Sequence, residues 1–138
     1  MSKDQTKSIF TSLNEGGHEQ LIYCNDKELG LKAIIGIHNT VLGPAMGGTR
    51  MWNYSSDEEA LTDVINLSKA MSYKSSLAGL NAGGGKAVII GDPKIKTKKF
   101  IKRYAEFLND LKGKYWTAQD VNMTSEDIVN IKETSKYV

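Results

Sequence analysis

Two lysines and an aspartate occupy the least ordinary stretches of this sequence. Lys86 ends the run Gly79-Leu80-Asn81-Ala82-Gly83-Gly84-Gly85 and opens the apolar stretch Ala87-Val88-Ile89-Ile90. Glycine lets backbone approach a ligand closely and take conformations closed to other residues. A lysine at the mouth of such a run, beside an apolar stretch, is partly desolvated. A second cation nearby, for which Lys74 is the candidate, also disfavours its charge. Both effects draw a lysine pKa from about 10.4 toward neutrality, where the amine exchanges protons. Asp120, within Thr117-Ala118-Gln119-Asp120-Val121, is a candidate for a carboxylate that passes a proton. The same three residues also read as two surface lysines and a helix-capping aspartate, and spacing leaves both readings open.

The glycines before Lys86 invite a phosphate-loop reading, which fails on three counts. A Walker-type motif needs glycine six residues before the lysine, where Leu80 stands. It needs Ser or Thr after the lysine, where Ala87 stands. It also follows a strand and opens a helix, whereas this run opens a strand. No G-x-G-x-x-G occurs, so the dinucleotide fingerprint is absent too. His18 and His38 have no ligand partner at metal spacing, so no metal is expected. Cys24, the single cysteine, cannot form an internal disulfide and reads as a core thiol.

These groups need a scaffold, and 138 residues suffice for one domain with one core. Ser8 to Leu13 reads as a short helix, and Glu19 to Asn25 and Leu31 to His38 as an antiparallel hairpin. Gly43 to Ser55 reads as a long ordered loop, of the kind that is usually functional. A helix begins at Ser56, with Glu59 completing a capping box, and its apolar face persists to about Met71. A second loop runs through Met71–Lys74 and Gly79–Gly85, then a strand from Lys86 to Ile90. The basic stretch Lys94 to Arg103 opens an amphipathic helix whose stripe is Phe100, Tyr104, Phe107 and Leu111. Its lysines read as a solvated face in preference to a nucleic-acid surface, the net charge being only +2. Tyr115 to Ala118 reads as a strand, and Thr124 as the cap of a helix from Ser125 to Thr134. Strands alternating with helices predict an α/β domain with a mostly parallel sheet. No run approaches the roughly 20 apolar residues of a membrane span, and Met1 to Gln5 opens no leader core. A cytoplasmic location is the resulting expectation.

The stretches GPAMGGTRMW (43–52), MSYKSSLAGLNAGGGKAVIIGDP (71–93) and TAQDVNMTSEDI (117–128) together resemble the leucine/phenylalanine/valine dehydrogenases of the glutamate dehydrogenase superfamily. The likeness runs from about Glu19 to Val138 and is nearest to leucine dehydrogenase. It implies a three-layer α/β/α domain with a mostly parallel mixed sheet. It also implies oxidative deamination of an amino acid to a 2-oxo acid and ammonia, with reduction of NAD. Lys74 then pairs with the substrate's carboxylate, Lys86 is the low-pKa lysine that activates water, and Asp120 relays a proton. Gly47 and Gly48 lie against the substrate, and Met46 and Met71 line its side-chain pocket.

In glutamate dehydrogenases the position of Met46 resembles a lysine that neutralises the second carboxylate. Methionine offers no charge, and an unpaired carboxylate against it costs several kcal/mol. An apolar amino acid, leucine or another branched-chain one first, is therefore expected. Gln119 and Asn122 depart from the Glu and Gly the family often carries. The resemblance covers one substrate-binding and oligomerisation domain, 1–138, with NAD held by a following Rossmann domain. It implies that this chain alone is inactive. The strand Glu19–Asn25, placed at a sheet edge, implies a homodimer or larger assembly. The alternative is a truncated paralogue serving as a non-catalytic amino-acid-binding or assembly module.

Overall fold

Strand β5 (Gly83–Ile90) is buried along all but its last residue and is the axis of the fold. The computed structural model describes residues 8–138. The reading of Met1 to Gln5 therefore falls outside the described residues. One edge of β5 takes β2 (Leu31–Asn39) antiparallel, from Ala33↔Ile89 to Asn39↔Gly84. The other edge takes β3 (Ala45–Met46) and β4 (Thr49–Trp52), both parallel to it and in one register. Beyond these lie β1 (Gln20–Asp26), antiparallel to β2 at one margin, and β6 (Tyr115–Trp116), parallel to β3 at the other. Three of the five pairings are parallel, so the sheet is the mixed, mostly parallel one expected.

Helix α1 (Ile9–Gly16) precedes the sheet and ends at Gly17, whose φ of 77° is left-handed. Helix α2 (Asp57–Leu77) covers one face, over Ile34 and Val88. Helices α3 (Lys98–Asp110) and α4 (Ser125–Lys132) cover the other. There Phe100, Ile101, Tyr104, Ala105 and Leu108 close on Ile35, Ile37, Ala87 and Ile89 in the larger core. The layers are therefore helix, sheet, helix, as the resemblance implied. Cys24 is part of that core, 4% exposed, and burial followed by the charge of Asp110 pushes its thiol up to about 11.

Caps mark the starts of α2 and α4 where the sequence put them, whereas α3 opens at Lys98 under the Thr97 cap and not at Lys94, because Pro93–Ile95 forms a separate 3-10 turn. Ser56 Oγ accepts the amide of Glu59, although the Glu59 carboxylate turns to Ser55 Oγ (2.5 Å) and leaves the expected box half made. Thr124 and Asp127 make the complete box of α4. Three expectations fail in one respect. The loop over Gly43–Ser55 contains β3 and β4, the glycines 83–85 lie inside β5, and α2 runs on to Leu77. Glycine carries no alternation, and the extended backbone there comes from neighbouring strands. Past Val64 the buried face of α2 is Ser68, Ser72 and Ser75, so the apolar stripe fades while the helix continues. The Tyr115–Ala118 strand is also shorter than expected, two residues long. Among the described residues no helix is long and apolar enough to cross a membrane.

Candidate active site

Alternation along β5 divides its residues between two cores. Gly85, Ala87 and Ile89 face α3 and α4, whereas Gly84, Lys86 and Val88 face α2. Lys86 is only 5% exposed, a charged side chain that must be paired. Its Nζ lies 3.3 Å from Asp120 Oδ1. Asp120 comes from the irregular loop after β6, and its other oxygen, Oδ2, accepts Arg50 Nε at 2.7 Å. Burial works to raise the Asp120 carboxyl's pKa. The hydrogen bond from Arg50, the Val121 amide and the charge of Lys86 outweigh it, so the group stays below the usual carboxylate range. Two of the three chemical residues thus meet, across 34 positions of chain.

Lys74 is placed by helix packing. Ser72 lies over Gly84, where a Cβ would fall 2.2 Å from the Ser72 nitrogen and 2.6 Å from the Ser68 carbonyl. Gly36, the register partner of Lys86, would carry a Cβ 3.2 Å from Ser68 Oγ. Serines on the helix over glycines in the strands bring α2 close to β5. Lys74, two residues past Ser72 in the final turn, is exposed at the end of this contact. It is therefore on the helix, not in a loop. Met46 pairs with Gly84 and so shares the sheet face of Lys86, 42% exposed.

Gly47 and Gly48 are required by the protein's own packing. A Cβ on Gly47 would lie 1.6 Å from the Gly85 carbonyl oxygen and 3.3 Å from Met71 Cγ; one on Gly48 would lie 2.9 Å from Asp120 Cβ. Absent side chains there let three chain segments meet at the site, and Met71 joins them.

Several residues escaped the sequence reading. Arg50 reaches Asp120 and, at 3.5 Å, Asp63 of α2; Tyr54 Oη donates to the same Asp63 carboxylate. Tyr115 Oη donates to the Gly47 carbonyl at 2.6 Å, and Thr49 Oγ1 lies 2.6 Å from Tyr104 Oη and 2.5 Å from Thr117 Oγ1. These buried hydroxyls hold the glycine segment from beneath. Reading residues 45–52 as a strand is the one signal that finds Arg50, since it alternates with Met46 and would share its face. Asn122, where the family often has Gly, has φ 60° and donates from Nδ2 to the Met51 carbonyl at 2.9 Å. Asparagine tolerates that backbone, so the departure fits the turn.

The remaining singled-out residues are structural here. His18 and His38 meet edge to face at 4.7 Å; His38 spans the Gly16 carbonyl and Ser72 Oγ, tying α1 to α2. Along α3, Lys98, Lys99 and Lys102 are exposed, while Arg103 bonds Asp26 at 2.9 Å and stacks on Phe107.

Comparison with known proteins bears on the family and the fold. Residues 18–137 match the family described as Glu/Leu/Phe/Val dehydrogenase, dimerisation domain. The chain is 50% identical over 131 residues to leucine dehydrogenase of Geobacillus stearothermophilus, covering 94% of this chain and 36% of that protein. It is 56% identical over 131 residues to phenylalanine dehydrogenase of Caldalkalibacillus thermarum, covering 94% and 35%. The crystal structure of L-tryptophan dehydrogenase from Nostoc punctiforme aligns with a TM-score of 0.93 and 46% identity, over 95% of this chain and 39% of that one. The chain spans little more than a third of the length of the relatives it matches. A shared family, extending over nearly the whole chain and its fold, follows: the chain belongs to the Glu/Leu/Phe/Val dehydrogenases, as their dimerisation domain.

Proposed function

We propose that this chain is the substrate-binding and acid–base part of an NAD-dependent dehydrogenase that deaminates an apolar L-amino acid. The observation that carries the reading is the Lys86–Asp120 pair, 3.3 Å apart, with Lys86 buried on the sheet face that Met46 shares and α2 covers. Lys74 takes the substrate's α-carboxylate from the end of α2. Asp120 passes a proton to and from the amine. In its neutral amine form Lys86 accepts a proton from water as the water oxygen attacks the imine carbon, and collapse of the carbinolamine releases ammonia and the 2-oxo acid. Gly47 and Gly48 present backbone to the substrate, and Met46 and Met71 face its side chain. Relatives named for leucine, phenylalanine and tryptophan support an apolar substrate, as does the lack of charge on Met46. Leucine and other branched-chain amino acids come first.

The glycines of residues 83–85 form strand, not a phosphate-binding turn, and no described segment offers a strand–glycine–helix seat for a dinucleotide. In this reading NAD, the hydride acceptor of the chemistry, is held by a separate Rossmann domain, and 1–138 form one substrate-binding and oligomerisation unit. Edge strand β1 suits pairing with a second copy, and a cytoplasmic location fits the reaction. The test is turnover of leucine, valine, isoleucine, phenylalanine and tryptophan by the protein joining this chain to its NAD domain, with and without Lys86→Ala. The substitution is expected to abolish turnover of the preferred substrate and spare the fold; a variant of normal rate refutes the mechanism.

A further inference from the structure

We propose that Arg50 is the positioning residue of the Asp120 carboxylate: it takes Oδ2, so that Oδ1 alone is presented to Lys86 and to the substrate's amine. This rests on the reading of Asp120 as a proton relay. The two oxygens of a carboxylate are chemically equivalent, and Asp120 stands in an irregular loop, so a proton relay of defined direction needs something outside the loop to distinguish them. Arg50 does so. Its Nε lies 2.7 Å from Oδ2, whereas Lys86 Nζ lies 3.3 Å from Oδ1.

Arg50 can impose this geometry because it is itself held from both sides. It stands on β4 between Thr49 and Met51, both fully buried. Its Nη1 lies 3.5 Å from Asp63 Oδ2 on α2, and that carboxylate also accepts the Tyr54 hydroxyl. The chain Tyr54–Asp63–Arg50–Asp120–Lys86 therefore runs from α2 across β4 to β5. A planar guanidinium with donors on two edges can serve two carboxylates in fixed directions, which an ammonium on a flexible stem cannot.

The groups facing Asp120 come from each packed element: Arg50 from β4, Lys86 from β5 and the Val121 amide from its own loop. Behind Arg50, Asp63 and Glu59 of α2 line a cavity of about 340 Å³ with Trp52, Tyr54 and Val121. Shortening Arg50 removes its bond to Asp120 Oδ2. Burial then goes on opposing the carboxylate's charge, while the strongest bond that stabilises the charge is gone. The Asp120 proton affinity is expected to rise about tenfold, the scale of one charge-assisted hydrogen bond.

The test has two readouts. Carbon-13 NMR titration of the Asp120 carboxyl is followed in this chain, as wild type, Arg50→Gln and Arg50→Lys. The values of kcat and KM are followed in the protein that includes the NAD domain. Arg50→Gln is expected to raise the Asp120 proton affinity about tenfold. Arg50→Lys retains a cation but loses the Nε–Oδ2 bond: the titration moves less, and kcat still falls about tenfold or more with little change in KM. If Arg50→Gln fails to fold, Arg50→Lys decides the matter, and a wild-type kcat there overturns the proposal. An unmoved Asp120 titration in folded Arg50→Gln overturns it as well. Absence of amino-acid dehydrogenase turnover in the unsubstituted protein refutes the functional reading alone, since the titration is measured without turnover.

Discussion

Replacing Gly84 by alanine tests the claim that helix packing sets the distance between Lys74 and Lys86. The added Cβ would fall 2.2 Å from the Ser72 nitrogen, 2.3 Å from Ser72 Oγ and 2.6 Å from the Ser68 carbonyl oxygen. Two of these atoms are helix backbone, so a rotamer change cannot relieve the contact. Ordinary contact begins at 3.4 Å against the 2.2 Å available, so α2 must withdraw from β5 by about 1.2 Å, because close-packed interiors have no slack to absorb it. Overpacking of this kind costs about 1–3 kcal/mol. For a chain of this length that lowers Tm by roughly 4–15 °C. The His38–Ser72 bond, 2.7 Å in the native fold, is disturbed as well. Lys74 moves with α2 while Lys86 stays with β5. A misplacement on the order of 1 Å costs up to about 100-fold in rate, and weaker binding of the substrate carboxylate raises KM. Thermal unfolding by circular dichroism reads the first effect, and steady-state kinetics of the protein with its NAD domain read the second. Gly30→Ala separates packing from backbone strain. Its Cβ would meet nothing within 4 Å, but its φ of 70° strains alanine, so Tm is expected to fall without a change in KM. A Gly84→Ala protein with native Tm and native KM refutes the reasoning.

Two further outcomes follow from groups away from the site. Cys24, 4% exposed and with its thiol pushed up to about 11, is expected to react with a thiol reagent only as fast as the chain opens; immediate stoichiometric labelling of the native protein at pH 8 contradicts its burial. Asp127 caps α4 and bonds Lys96 at 2.6 Å. Burial works to raise its carboxyl, yet Lys96 and the Thr124 amide hold it below the ordinary range. A lowered folded-state value contributes stability above the unfolded pKa of about 3.9, and that contribution fades as pH falls through the folded value. Asp127→Asn is therefore expected to cost about 1–3 kcal/mol at pH 7, and the difference to close in acid below about pH 4. Urea unfolding at pH 7 and pH 3 measures both, and an equal loss at the two values contradicts the ionic contribution.

Much of this protein is legible locally. The hairpin lies within a residue of where alternation places it, because one strand's side chains sort between core and solvent without reference to distant chain. The starts of α2 and α4 follow from Ser56 and Thr124, since a cap bonds an amide only three residues on. Met46, Lys74, Lys86 and Asp120 stand out by residue type and by resemblance, and the absence of charge at Met46 already favours an apolar substrate. Glycine, however, conceals its reason. Gly47, Gly48 and Gly84 read as room for a ligand, yet their missing Cβ atoms are what let β5, α2 and the Asp120 loop touch. Nothing in a one-dimensional pattern says what a side chain would strike.

The sequence by itself therefore determined the types of group available, the order of helices and strands, and the family. Tertiary structure alone decided which groups act on one another. Arg50 and Asp120 are 70 positions apart, and Tyr115 and Gly47 are 68. Their bonds exist only because β4 and β6 lie on the same side of β5. A hydrogen bond or an ion pair acts over about 3–4 Å, whereas periodicity and capping report on neighbours along the chain. Register and helix approach supply the missing dimension, and in this fold they join Lys86, Asp120 and Arg50 in one network.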